Sequence, residues 1–233
     1  IIPAEIAEDQ NICDNNIPIL LTTIDPASGA QGAGYTAQWQ FKDETMNEFE
    51  DVPSNGNDWD YQPPALIDDT EYQIEIYSTT DAEGPDVCGP VYSNIILVDV
   101  YDPFNQGTIQ ANVGDNWQCF EDNNLEFSFS VSPNGGDIST PDYNYTWQYD
   151  NGDGAGWIDF GDDSPTATDD DILATTQYQC IVEDECGTLT TESITVNVRD
   201  EFIVGELQLI NEEQCYEQNL ISLGFNTGPS GGE

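Results

Sequence analysis

Apolar and polar residues alternate along much of the chain. Phe127-Ser128-Phe129-Ser130-Val131 and Ile194-Thr195-Val196-Asn197-Val198 put an apolar side chain at every second position, the period of a strand that buries one face. Asn55-Gly56-Asn57, Asn134-Gly135-Gly136 and Asn151-Gly152-Asp153-Gly154 interrupt these runs with residues suited to tight turns. No segment holds a helical apolar period for three turns. The pattern predicts an all-β chain of short strands.

These strands recur in a fixed order. Tyr35-Thr36-Ala37-Gln38-Trp39-Gln40 is matched by Tyr145-Thr146-Trp147-Gln148, and Thr70-Glu71-Tyr72-Gln73-Ile74 returns as Thr176-Gln177-Tyr178-Gln179-Cys180 at an offset of 106 residues. Cys88-Gly89 returns as Cys186-Gly187, followed by the closing strands Ser93 to Val100 and Thr191 to Val198. A Gly-x-Ile/Leu-Gln opening recurs at Gly107 and Gly205, ahead of Cys119 and Cys215, and Cys13 takes the same place near the start. The chain therefore divides into repeats over 1–103 and 104–201 and the beginning of a third over 202–233. Several short strands per unit, a tryptophan in mid-unit and a tyrosine in a late strand are the pattern of an immunoglobulin-like β-sandwich. Trp39, Trp147, Tyr72 and Tyr178 are the expected core residues.

The six cysteines form no C-x-x-C pair, and the chain has no histidine, so a zinc site is not expected. Disulfides are, which places the protein in an oxidising, extracytoplasmic compartment. By repeat, Cys13 would pair with Cys88 and Cys119 with Cys186, one staple per unit, each contributing on the order of 4 kcal/mol in the chain-entropy model. Cys215 would pair beyond Glu233. Cys180 replaces Ile74 of the first repeat and reads as a buried apolar thiol. A bridge from Cys119 to Cys180 would mimic that of antibody domains, but the first repeat has no cysteine at position 74.

Charge narrows the function. Forty-six acidic residues face two basic ones, Lys42 and Arg199, for a formal net charge of -44. Nucleic acids and anionic membrane faces would be repelled, and no apolar run reaches the roughly 20 residues of a membrane helix, so direct insertion is not expected. Without histidine there is no Ser-His-Asp or Cys-His arrangement, and carboxylates are too abundant to single out a catalytic pair. The reading is not an enzyme. The start at Ile1-Ile2-Pro3, without Met or leader, suggests a piece of an exported protein.

The order of motifs resembles the tandem repeats of giant surface proteins of Bacteroidota, of which gliding-motility adhesins of the SprB type are examples. The motifs that carry the resemblance are Tyr-x-x-x-Trp-Gln, a second aromatic as in Gly156-Trp157-Ile158-Asp159-Phe160, Leu-x-x-Thr-x-Tyr, Cys-Gly and a Val-rich closing strand. The resemblance implies type IX secretion, display at the cell surface, and service in cell adhesion as a stalk or extracellular filament. Its partners would be neighbouring Ig-like repeats of the same or an identical chain, and surface polysaccharide or glycan. Phe49 stands where the second aromatic of the family is Trp, and the loops carry Asp and Glu rather than Thr and Ser. Two other readings are a carbohydrate-binding module of a secreted polysaccharide-degrading enzyme and a fibre subunit that polymerises by lending a strand.

Two local chemistries are candidates. Calcium takes clustered oxygen ligands, which Asp102 and Asp200 would supply at the repeat boundaries near Asp99 and Glu201, and Asp150 and Asp153 in a carboxylate-rich loop with Asp159, Asp162 and Asp163. Trp59, in a turn-rich stretch where the second repeat has no aromatic, is the candidate for stacking on a sugar.

Overall fold

The computed structural model describes residues 1–29, 34–79, 90–114, 117–121, 125–137, 143–170, 172–210 and 223–232. Among them there is no α-helix. The chain divides into two compact units, one of 1–104 with 135–139 and one of 105–134 with 140–233.

The first unit contains β1 (Glu5–Ile6), β2 (Gln10–Ile12), β3 (Thr23–Asp25), β4 (Gly34–Asp43), β5 (Glu50–Asp51), β6 (Thr70–Thr79), β7 (Val91–Tyr92) and β8 (Ile96–Val100). Its larger sheet runs β2-β8-β6-β4-β5, with β7 also on β6. All these pairs are antiparallel except β2 with β8. The facing layer is β1 with β3, extended by bridges from Leu21 to Tyr61 and from Ile2 to Ser28.

The second unit repeats the plan with β9 (Thr108–Ala111), β10 (Trp117–Gln118), β11 (Leu125–Val131), β12 (Asn144–Asp150), β13 (Ile158–Phe160), β14 (Ala167–Asp169), β15 (Thr176–Asp184), β16 (Gly187–Thr190) and β17 (Ile194–Val198). One sheet runs β10-β17-β15-β12-β13 with β16 on β15, the other β14-β11-β9. The chain crosses between the layers at β9–β10, β10–β11, β11–β12, β13–β14 and β14–β15, and the early strand β10 runs parallel to the last, β17. Interleaved layers of this kind are the Greek key of an immunoglobulin-like sandwich.

Alternation places the core. In β6, Tyr72, Ile74 and Ile76 point inward to meet Trp39 of β4, all within 2% of full burial. In β15 the same positions are Tyr178, Cys180 and Val182, against a fully buried Trp147. Trp39, Trp147, Tyr72 and Tyr178 are thus core residues, and each indole N–H donates to a loop carbonyl, Asp58 at 3.1 Å and Ser164 at 2.9 Å.

The glutamine after each tryptophan faces the other side of its sheet, where it joins a polar ladder. Gln73 donates to Gln40 and Gln40 to Asp51, at 2.9 and 3.1 Å. Gln179 donates to Gln148 and Gln148 to Asp159, at 2.8 and 2.7 Å. A second device recurs where the closing strand breaks. The Ser93 hydroxyl accepts from Ile74 N–H at 2.9 Å, and the Thr191 hydroxyl accepts from Cys180 N–H at 3.0 Å. Each replaces a ladder bond that a buried N–H would otherwise lack.

Beyond residue 201, β18 (Glu206–Leu209) and β19 (Leu223–Thr227) form a hairpin pairing Leu207 with Phe225 and Leu209 with Leu223. All four are more than half exposed, whereas Ile109 and Phe127 of the comparable β9–β11 pair are 3% and 1% exposed.

Candidate functional site

The two units carry a cleft at the same place, where the strand bearing the tryptophan ends beside the loop that leads into the strand bearing the tyrosine. That loop is set by a threonine. Thr70 donates its hydroxyl to the Asp68 carbonyl at 3.0 Å and Thr176 to the Ala174 carbonyl at 2.8 Å, which closes the turn and puts the tyrosine two residues later on the inward face.

In the first unit Phe41 and Asp43 of β4, Tyr61, Leu66 and Tyr72 line an open cleft of about 350 Å³. In the second, Tyr149, Asn151, Asp169, Ile172 and Tyr178 enclose about 250 Å³. The hydroxyl chemistry differs. Tyr178 donates to an Asp169 carboxylate oxygen at 2.8 Å. Burial, and then that hydrogen bond beside a carboxylate, hold its phenol far above the ordinary range. In the first unit Tyr61 and Tyr72 stand with ring centroids 6.0 Å apart, only 6% and 2% exposed. Burial raises both phenols, and the neighbouring Tyr61 adds to the shift at Tyr72. Neither hydroxyl has a hydrogen-bond partner among the described residues, and both are open to the cleft.

Tyr61 escaped the sequence reading. The signal is at the repeat offset, where Tyr61 corresponds to Ala167.

The metal candidates are engaged locally. Asp150 and Asp153 accept from the N–H groups of Gly152 and Ala155, each at 2.8 Å, closing their own loop. Asp159 accepts from Gln148 and Asp163 from Tyr145 N–H. Asp102 and Asp200 use their main-chain carbonyls, which accept from Gly136 at 2.8 Å and Gly232 at 3.1 Å. The preceding Gly135 and Gly231 have φ of 72° and 81°, and a Cβ there would overlap the Pro103 or Glu201 carbonyl oxygen. Asp99 lies beside Asp69, and burial first, then that carboxylate, raise its pKa. Among the described residues no three acidic or thiol side chains gather to hold a metal. Trp59 is half-buried and packs against the first core, its carbonyl accepting from the Thr23 hydroxyl at 2.6 Å.

The cysteines correct one expectation. Cys119 is an exposed free thiol while Cys186 is disulfide-bonded, so the Cys119–Cys186 staple does not form. Cys186 lies in the turn beyond Asp184, whereas Cys119 follows Gln118, which pairs with Val198 past the Thr176 end of β15. The eight residue steps from Thr176 to Asp184 alone span about 26 Å at the strand rise, well beyond the ~7 Å reach of a disulfide between Cα atoms. Cys13 is disulfide-bonded. Its expected partner Cys88, like Cys215, lies outside the described residues. Cys180 is free and fully buried, as its apolar position predicts. Burial pushes its thiol up to about 12.

The model of a family described as "Domain of unknown function (DUF8696)" matches residues 2–102, the first repeat. No curated protein matches the chain. Among solved structures the chain is similar to a marsupial T cell receptor, at 14% identity over 90% of this chain and 77% of that one, with a TM-score of 0.49. It is also similar to domains A168–A170 of titin, at 12% identity over 84% and 67% of the two chains and a TM-score of 0.45. A third is the three N-terminal domains of the highly immunogenic outer capsid protein (Hoc) of bacteriophage RB49, at 9% identity over 84% and 68% and a TM-score of 0.44. By its own strand order, the chain is an all-β protein of immunoglobulin-like sandwiches.

Proposed function

We propose that this chain is a non-catalytic segment of a secreted cell-surface protein or extracellular fibre, in which immunoglobulin-like repeats form a semi-rigid adhesive stalk. The observation that supports this most is recurrence. One sandwich occurs twice with the same tryptophan anchor, glutamine ladder and hydroxyl-bridged strand break, as expected of a chain selected for repetition of a structural unit. Disulfide-bonded Cys13 and Cys186 fit an oxidising compartment, and the absence of histidine leaves no imidazole base. The net charge of -44 suits a solvated surface chain and disfavours nucleic acid as a partner. The motif order favours export and adhesion of the type IX, gliding-motility kind. Two measurements test the reading: antibody labelling of intact against permeabilised source cells, and small-angle X-ray scattering of the purified chain. Labelling only after permeabilisation, or a radius of gyration near the ~17 Å of one compact body of this length, would remove it.

The exposed apolar face of β18–β19 favours a second reading, a subunit completed by a strand from another copy. Concentration-dependent oligomers in light scattering that are lost in Phe225→Asp would support it over the stalk.

A further inference from the structure

We infer that the cleft of the first unit is a binding site for a neutral saccharide of one or two rings, held by the hydroxyls of Tyr61 and Tyr72. This goes beyond the stalk reading and stands whether or not the repeats are an extended spacer. The second unit supplies the control, because it has the same cleft with its tyrosine satisfied by Asp169 at 2.8 Å.

The ligand class follows by elimination from the lining. As whole residues Tyr61 and Tyr72 are only 6% and 2% exposed, while their hydroxyls, which have no protein hydrogen-bond partner among the described residues, open to the cleft. A purely apolar occupant would seal both hydroxyls away from water, at the full desolvation cost of an unpaired buried group. An anion is opposed by Asp43 and Asp68 at the rim and by a chain of net charge -44. The nearest cation in sequence, Lys42, is paired with Glu71 at 2.7 Å. An ammonium would suit the rim carboxylates, but it has no lone pair to accept from phenol O–H groups. A ring of hydroxyls donates and accepts at once. Donors meet the carboxylates, acceptors meet the phenols, and the C–H faces of the ring meet Phe41, Pro53, Pro64 and Ile67 along the wall.

Asp43 is set up as an acceptor. Its Oδ1 receives the Thr45 hydroxyl and N–H at 2.6 and 2.8 Å, and these bonds keep it ionised by lowering its pKa. The cleft, about 350 Å³, lies at the small end of ligand pockets, room for one or two rings between its walls. Raised phenols keep both hydroxyls protonated as donors through the physiological range.

The experiment is saturation-transfer NMR on the whole chain with methyl glycosides of neutral hexoses and N-acetylhexosamines, alongside glucuronate and phenethylamine. At least one neutral glycoside should receive saturation. Titration of that glycoside against Tyr61→Phe, Tyr72→Phe and the double variant should show affinity falling roughly tenfold per hydroxyl. Tyr178→Phe should leave it unchanged. Phenylalanine keeps the ring in place, and thermal melts confirm that each variant folds. The inference is overturned if no neutral glycoside binds, if glucuronate or phenethylamine binds instead, or if the double phenylalanine variant binds as the parent does.

Discussion

The two units solve one packing problem with opposite choices. In the first, Leu21 faces Tyr61 across an antiparallel bridge, and in the second Phe127 faces Ala167 at the same place. The aromatic ring comes from the later strand in one unit and the earlier strand in the other. Either way it reaches the tryptophan, at 5.9 Å from Trp39 or 5.8 Å from Trp147, and the core tyrosine, at 6.0 Å from Tyr72 or 4.3 Å from Tyr178. Both cores place one aromatic ring against the tryptophan and tyrosine, while the segment that supplies it differs. The swap has a chemical residue, because Tyr61 brings a hydroxyl that Phe127 lacks.

The largest test of this equivalence is removal of the anchors. Trp39→Ala and Trp147→Ala should each cost about 3–5 kcal/mol and abolish the calorimetric transition of their own unit while sparing the other. Loss of both transitions from one substitution would show that the units do not fold separately.

Next is the swap itself. Tyr61→Ala alone should destabilise the first unit by about 3 kcal/mol, and adding Leu21→Phe should recover at least half of that in urea titrations. Simple additivity of the two changes would break the comparison, since residues sharing one slot are expected to couple.

A smaller effect separates the tyrosines. Tyr178→Phe loses a hydrogen bond to a carboxylate and should cost about 1.5–3 kcal/mol, while Tyr72→Phe, with no protein partner to lose, should stay within about 0.5 kcal/mol of parent. Equal costs would contradict the difference between the clefts.

The smallest is at the thiols. Cys180→Ile imports the first unit's residue and should shift stability by less than about 1.5 kcal/mol. In the folded, unreduced chain iodoacetamide should label Cys119 rapidly and Cys180 only on unfolding, which mass spectrometry would read directly. Rapid labelling of Cys180 would mean that its burial is wrong.

Much of the architecture was legible in the residues. Alternation marks β6, β11, β15 and β17 because a sheet sends successive side chains to opposite faces, and the two copies of Trp-Gln and Thr-x-Tyr locate the core by repetition. Trp59, by contrast, was singled out for being unmatched, and it covers its own core. Tyr61 was passed over because a tyrosine before a proline-rich loop has no local pattern to mark it.

Strand period, repeat order and core aromatics follow from the chain alone, since each depends on neighbours a few residues apart or on a copy of the same segment. Which groups meet through space does not. Cys119 and Cys186 match by order yet stand at opposite ends of one sheet. Tyr72 and Tyr178 match by motif, yet only one finds a carboxylate. Such differences arise from the ångström-scale placement of residues distant in sequence, which only the packed sandwich sets.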